Sequence, residues 1–183
     1  MRSKFVDELI EKYAGDPLQR EILAVHSEMV AQKALRIAAE KGLESAVDMQ
    51  FLEDAAMLHD IGIVGVNAPA IHCNGTMPYI AHGIIGAQIL KSEGLPAKYS
   101  RVCERHTGSG ISAEDVRREG LPLPERDFLP ETIEERLICY ADKFFSKSRD
   151  LRKEKTFEEI ERSMSRFGAD ALERFGKLKA EFG

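Results

Sequence analysis

Apolar residues recur along most of the chain at the spacing of amphipathic helices, and no segment sustains the alternation expected of a strand. Asp16 followed by Pro17 reads as an N-cap and first helical position. Leu18, Ile22, Val25, Met29, Ala34 and Ile37 then predict a long helix that carries His26 and ends near Lys41 and Gly42. A second helix, from about Val47 to His59, follows Phe51, Ala55 and Leu58 and ends on the pair His59-Asp60. Gly62, Gly65, Asn67, Pro69, Asn74, Gly75 and Pro78 punctuate the chain too densely for a regular element, so 62–78 is predicted to be a loop, of a length that usually serves function. Helix resumes over about Tyr79–Ser92, with His82 in its first turn, and over Pro96–His106, ended by Thr107 and Gly108. Prolines make Leu121–Pro130 irregular, a helix from Glu131 to Ser148 carries Asp142, and Thr156 with Glu159 forms the capping box of a last helix running to Phe182. The expectation is an all-α fold of roughly six to eight helices, a single domain over 1–183 with its core at about 17–150 and a C-terminal helical extension, without internal repeats.

Composition narrows the class. A chain of 183 residues, 43% hydrophobic, suffices for one substantial core. Its 26 Lys and Arg stand against 31 Asp and Glu, and a net charge of -5 gives no reason to expect a polymeric nucleic acid as partner; a small molecule fits better. Cys73, Cys103 and Cys139 are odd in number and form no CxxC pair, which argues against a disulfide framework or a zinc knuckle and for a reducing, cytoplasmic setting. The first residues carry scattered charges and no apolar signal region, and the most apolar stretch, 55–71, is broken by His59, Asp60, glycines and Pro69. A soluble protein with no membrane partner is expected, and the pattern sets no oligomeric state.

The chemistry lies in the histidines. Four of the five sit on predicted helices or at their ends, and with Asp60 and Asp142 they offer four imidazoles and two carboxylates. Helical folds build metal sites this way, because one helix can aim only one or two ligands at a given point. Mixed imidazole and carboxylate ligation suits Mn, Fe, Zn, Ni or Co rather than Ca or a thiolate-seeking metal. Neighbouring residues on a helix diverge by about a quarter turn, so His59 and Asp60 can share an ion only where the helix terminates, a turn that Gly62 is expected to supply. Taken singly, His26, His82 and His106 each read as core histidines with satisfied ring nitrogens. Asp142 does not read so blandly, since it falls within the apolar run LICYAD, where an unpaired carboxylate is costly to bury.

The ordered set of His26, then His59-Asp60-Ile61-Gly62, then Asp142 resembles the HD superfamily of metal-dependent phosphohydrolases, in its HDIG subgroup. The strings HSEMVAQKAL, MLHDIG and YADKFFSK carry the resemblance across most of the chain. It implies that His26, His59, Asp60 and Asp142 hold one divalent ion. His82 in YIAHGIIGAQIL and His106 in CERHTGSG extend the likeness to two-metal members, in which the Asp of the doublet bridges two ions. The HTG and ADK strings are most similar to those of symmetrical diadenosine tetraphosphate hydrolases. HD-GYP phosphodiesterases are less similar, since the chain lacks the lysine after HDIG, the GYP string, and a histidine at Thr107.

The resemblance implies one or two divalent ions (Mn, Fe, Ni, Co, Zn or Mg) and a small phosphorylated substrate, a nucleotide or dinucleoside polyphosphate. It implies hydrolysis by metal-activated water, with Asp60 as the catalytic residue that orients that water. Lys33, two turns after His26, and Arg149, in the same relation to Asp142, are candidates for a substrate phosphate, although solvated faces are the default for such residues. His72 reads first as an exposed loop histidine and second as a substrate contact. Lys143 and Lys147 are open as phosphate contacts, His72 and Arg105 are candidate general acids, and the 62–78 loop is expected to decide the substrate. Two rival readings keep the same residues: a di-iron oxygenase of the HD type, and a nucleotide-binding regulatory module with a slow site.

Overall fold

The computed structural model describes residues 2–148 and 150–183, and the candidate Arg149 lies outside them. Among the described residues there are nine α-helices: α1 (Lys4–Tyr13), α2 (Pro17–Glu40), α3 (Met49–Leu58), α4 (His82–Ser92), α5 (Ala97–Arg105), α6 (Ala113–Glu119), α7 (Ile133–Asp142), α8 (Phe157–Met164) and α9 (Ala169–Phe182). The fold class is all-α, as the periodicity predicts. The only sheet among these residues is a pair of two-residue antiparallel strands, β1 (Asn67–Ala68) and β2 (Cys73–Asn74), inside the predicted loop.

The long helix α2 starts as expected, with the Asp16 side chain accepting hydrogen bonds from the Leu18 and Gln19 backbone N–H groups. Its buried face is another matter. Gln19, Leu23, His26, Ser27, Val30, Ala31, Ala34, Ile37 and Ala38 point inward, whereas Leu18 is 51% exposed and Ile22, Val25 and Met29 are only half-buried. Polar residues on the inner stripe shift the apparent apolar face by about one position. That stripe packs against α3 and α7, whose Leu52, Ala55, Ala56, Leu137, Ile138 and Ala141 are buried with it.

Four expectations about elements need correction. α1 was not expected; Val6, Leu9 and Ile10 bury its inner face, and Ser3 donates from its backbone N–H and its hydroxyl to buried Asp54 at 2.7 and 2.6 Å. α6 was also unexpected, although Ser112 and Asp115 form a capping box and Gly120 closes it in the left-handed conformation. The helix bearing Asp142 stops there rather than at Ser148, since the next backbone hydrogen bonds, from Lys143, Phe144 and Phe145, reach back only three residues. The last helix begins at the Thr156 capping box but breaks at Gly168, whose φ of +99° no other residue type adopts comfortably. The count therefore exceeds the expected six to eight.

α9 lies against α7, with Tyr140 stacked on Phe175 at 5.9 Å and beside Phe182 at 5.8 Å. All three cysteines are buried and unpaired. No helix among the described residues is long and apolar enough to cross a membrane.

Candidate metal centre

Each of the six expected ligands leaves the backbone where its helix presents it to one buried point. His26 comes from within α2, His59 and Asp60 from the end of α3, His82 from the start of α4, His106 from just past α5, and Asp142 from the last position of α7. All six are buried. The doublet converges because Asp60, at φ -105° and ψ 7°, leaves the helical conformation that His59 still holds. Gly62 has a different role from the one expected. A Cβ there would stand 1.9 Å from the His82 carbonyl oxygen and 2.3 Å from the Gly86 nitrogen, so Gly62 lets α4 lie directly on the doublet's turn.

Three of the imidazoles are oriented by the same device. His59, His82 and His106 each donate from Nδ1 to the carbonyl three residues earlier, those of Ala56 (2.6 Å), Tyr79 (2.7 Å) and Cys103 (2.8 Å). A carbonyl can only accept, so Nδ1 keeps its proton and Nε2 is the nitrogen turned to the cluster.

The donor atoms form two groups that share Asp60. Those of His26, His59, Asp60 and Asp142 lie within 4.8 Å of one another, as do those of Asp60, His82 and His106. Asp60 Oδ2 is 3.1 Å from His26 Nε2 and 3.0 Å from His59 Nε2, while Oδ1 is 3.5 Å from His82 and 3.3 Å from His106. Asp142 Oδ1 is 3.0 Å from His26 Nε2 and 3.5 Å from His59 Nε2.

These atoms are poorly satisfied by one another. Neither Asp60 oxygen nor His59 Nε2 has a well-directed hydrogen bond, a deficit of about 1–3 kcal/mol for each such buried atom. His82 Nε2 and His106 Nε2 are 3.0 Å apart, two lone pairs aimed at each other while both protons are committed elsewhere. A cation between such donors removes both deficits, and the imidazole and carboxylate set fits a divalent transition metal.

Charge follows the same division. Burial pushes the His82 imidazole down to about 3, with His106 adding to the effect, and burial also lowers His106, so both stay neutral donors. Burial opposes charge on His59 too, but the Asp60 and Asp142 carboxylates outweigh it and raise that imidazole to about 9. The two carboxylates are held well below their usual range despite burial, Asp60 chiefly by Lys147 and His59, Asp142 by Lys143 and Lys147. Lys147 Nζ lies 2.6 Å from Asp60 Oδ2 as an ion pair rather than a directed hydrogen bond, and Lys143 Nζ lies 2.5 Å from Asp142 Oδ2.

A cavity of about 660 Å³ opens from the cluster, bounded there by Tyr79, His82, His106, Asp142, Lys143 and Lys147. Both lysines are placed in it by the early end of α7. The structure does not bring Lys33 there: its Nζ pairs with Glu154 at 2.8 Å and lies 4.0 Å over the Phe144 ring, beside a separate cavity of about 250 Å³. His72 is exposed, at a left-handed φ of 57°, and does not border the large cavity. Arg105 donates to the Leu129 carbonyl and pairs with Glu131, also away from it. The 62–78 loop contributes Ala68, Ala70 and Ile71 to one wall, while residues of α8, α9 and the turn between them form another.

The HD-domain family model matches residues 23–147, which span every one of the six clustered residues. The chain belongs to the HD-domain family. This HD domain is 32% identical over 161 residues to a tRNA (cytidine(56)-2'-O)-methyltransferase of Picrophilus torridus, and 30% over 171 residues to that of Thermoplasma volcanium. The match takes in 88% and 93% of the chain but only 41% and 44% of those proteins. The chain thus spans less than half the length of either. It is 34% identical over 134 residues to an uncharacterised protein of Methanocaldococcus jannaschii, covering 73% of the chain and 69% of that protein. The HD domain of the L. monocytogenes phosphodiesterase PgpH shares the fold, with a TM-score of 0.54 and 17% identity over 96% of this chain and 95% of that one.

Proposed function

We propose that this HD domain hydrolyses a small phosphate ester or anhydride, a nucleotide or dinucleoside polyphosphate, with one divalent ion held by His26, His59, Asp60 and Asp142 and a second by Asp60, His82 and His106. The observation that carries the reading is the shared Asp60, with an incompletely satisfied oxygen turned to each group at the head of a cavity lined by Lys143 and Lys147. A divalent ion bound there supplies Lewis acidity, drawing the pKa of water toward neutrality and neutralising phosphoryl oxygens. Asp60, buried and ionised, orients the attacking water between the two groups. Lys143 and Lys147, which pair with Asp142 and Asp60 and border the cavity, add positive charge beside the phosphate. The domain's net charge of -5 does not oppose an anionic substrate, because the local field is set by these lysines and the ions. The names of the two methyltransferase relatives raise tRNA as a partner; an acidic chain whose buried cluster opens into a cavity of about 660 Å³ favours a small molecule instead.

Turnover in labelled water tests the reaction. With Mn or Fe added, the label is expected in the product phosphate. Activity that vanishes without dioxygen, with no phosphate-ester turnover under any metal, sinks this reading and promotes the di-iron oxygenase; tight nucleotide binding without turnover promotes the regulatory module. A count of bound metal tests the second site. His82→Ala is expected to keep about half of the metal, since it removes a ligand of the second group alone. Undiminished metal in this variant leaves a mononuclear hydrolase.

A further inference from the structure

Among the described residues, Lys143, Lys147, Lys155, Arg166 and Arg174 border the cavity beside the metal centre, in a chain whose net charge is -5. Three of these cations are engaged by carboxylates: Lys143 by Asp142, Lys147 by Asp60, and Arg174 by Asp115 at 2.6 Å. Lys155 and Arg166 are not, and the two differ in kind. Arg166 is exposed, on the turn that follows α8, where a solvated charge is ordinary. Lys155 precedes α8, is half-buried and is fixed at both ends. Its backbone N–H donates to the Phe144 carbonyl at 2.8 Å and its Nζ to the Phe145 carbonyl at 2.9 Å.

That fixation holds an ammonium beside the site without neutralising it. Phe144 and Phe145 follow Asp142 within three residues, and the charges of Asp142, Lys143 and Lys147 all act on Lys155. Burial draws its pKa below the usual lysine range, Asp142 opposes, and the two lysines add to the lowering; Glu159 attracts it more weakly. An ammonium bears three protons, and the Phe145 carbonyl takes one. An anion placed there would receive the others and offset both the burial and the repulsion from Lys143 and Lys147.

Resting on the phosphohydrolase reading, we propose that Lys155 holds a second phosphate of the substrate, next to the one that Lys143 and Lys147 accompany. The substrate class is then a phosphoric anhydride, with at least two phosphates in a row, rather than an isolated monoester. Lys155 lies beyond residue 147, where the family match stops, so this preference belongs to the segment that follows the matched part.

Methylenediphosphonate keeps two linked phosphoryl groups and methylphosphonate one, and their carbon–phosphorus bonds resist hydrolysis, so both report binding alone. Each is titrated by calorimetry into the metal-loaded protein and its variants, alongside metal analysis and an assay of phosphate-ester and anhydride turnover. Lys155→Met is expected to weaken the diphosphonate about tenfold, the scale of one lost charge-assisted contact, and to leave methylphosphonate within about twofold. Lys155→Gln takes its place if that variant loses metal. Lys155→Arg should restore most of the loss, and Arg166→Gln, which removes a charge from the same cavity, should change neither compound. Chelation of the ions by the diphosphonate is common to all these proteins and cancels in the comparison. An equal loss for both compounds on removing the Lys155 charge, no loss at all, or the same loss in Arg166→Gln overturns the subsite; continued turnover then leaves the hydrolase reading standing. If the unaltered protein neither binds a phosphonate nor turns over any phosphate compound, the two fall together.

Discussion

Asp60→Asn is expected to empty both halves of the His/Asp cluster at once and to lower hydrolysis by more than about a hundredfold, the upper range for loss of a mere outer partner. The reason is the division of its two oxygens, Oδ2 toward His26 and His59, Oδ1 toward His82 and His106. An amide nearly preserves the shape but removes the charge and turns one oxygen into a donor that points at lone pairs. His59→Ala should likewise abolish the principal ion. Elemental analysis of protein purified without chelator reads both outcomes, and full metal content in Asp60→Asn would refute the bridging role. The comparison with His82→Ala is informative because only Asp60 belongs to both groups.

The second large effect is expected at Gly62. Small-to-large changes in a packed core cost about 1–3 kcal/mol when side chains can give way. At Gly62 the obstacles are backbone atoms, the His82 carbonyl oxygen at 1.9 Å and the Gly86 nitrogen at 2.3 Å. Gly62→Ala should therefore exceed that range and lower the thermal midpoint by about 10 °C or more. Because the displaced backbone is that of His82, metal in the second group should fall as well, even though no ligand has been altered. A calorimetric scan showing an unshifted midpoint would contradict the close packing of α4 on the 61–65 turn.

The candidate ligands were more legible than the surfaces around them. His26, His59, Asp60, His82, His106 and Asp142, picked out in the sequence by residue type and order, are brought together in one buried cluster. Hydrophobicity alone points about one residue aside on α2, because His26 and Ser27 occupy its buried face. The sequence does not place Lys143 and Lys147, because their position depends on α7 ending at Asp142, which no residue in ADKFFSK announces. Ser112, Asp115 and Gly120 did announce α6, but a helix of 7 residues leaves too little periodicity to be noticed.

His26 and Asp142, whose Nε2 and Oδ1 atoms meet at 3.0 Å, are separated by 116 residues. Bringing them together closes a loop of more than half the chain, and such closures come late because their entropy must be met before the contact stabilises anything. No fragment lacking either α2 or α7 can present the full principal set. Ion binding is therefore selective for the finished fold over partly folded chains. By mass action, each tenfold rise in free ion above the dissociation constant should deepen the native state by about 1.4 kcal/mol per site. With ions held there as proposed, the supply of metal would set how much of the protein persists in folded form, apart from any effect on the rate at which it works.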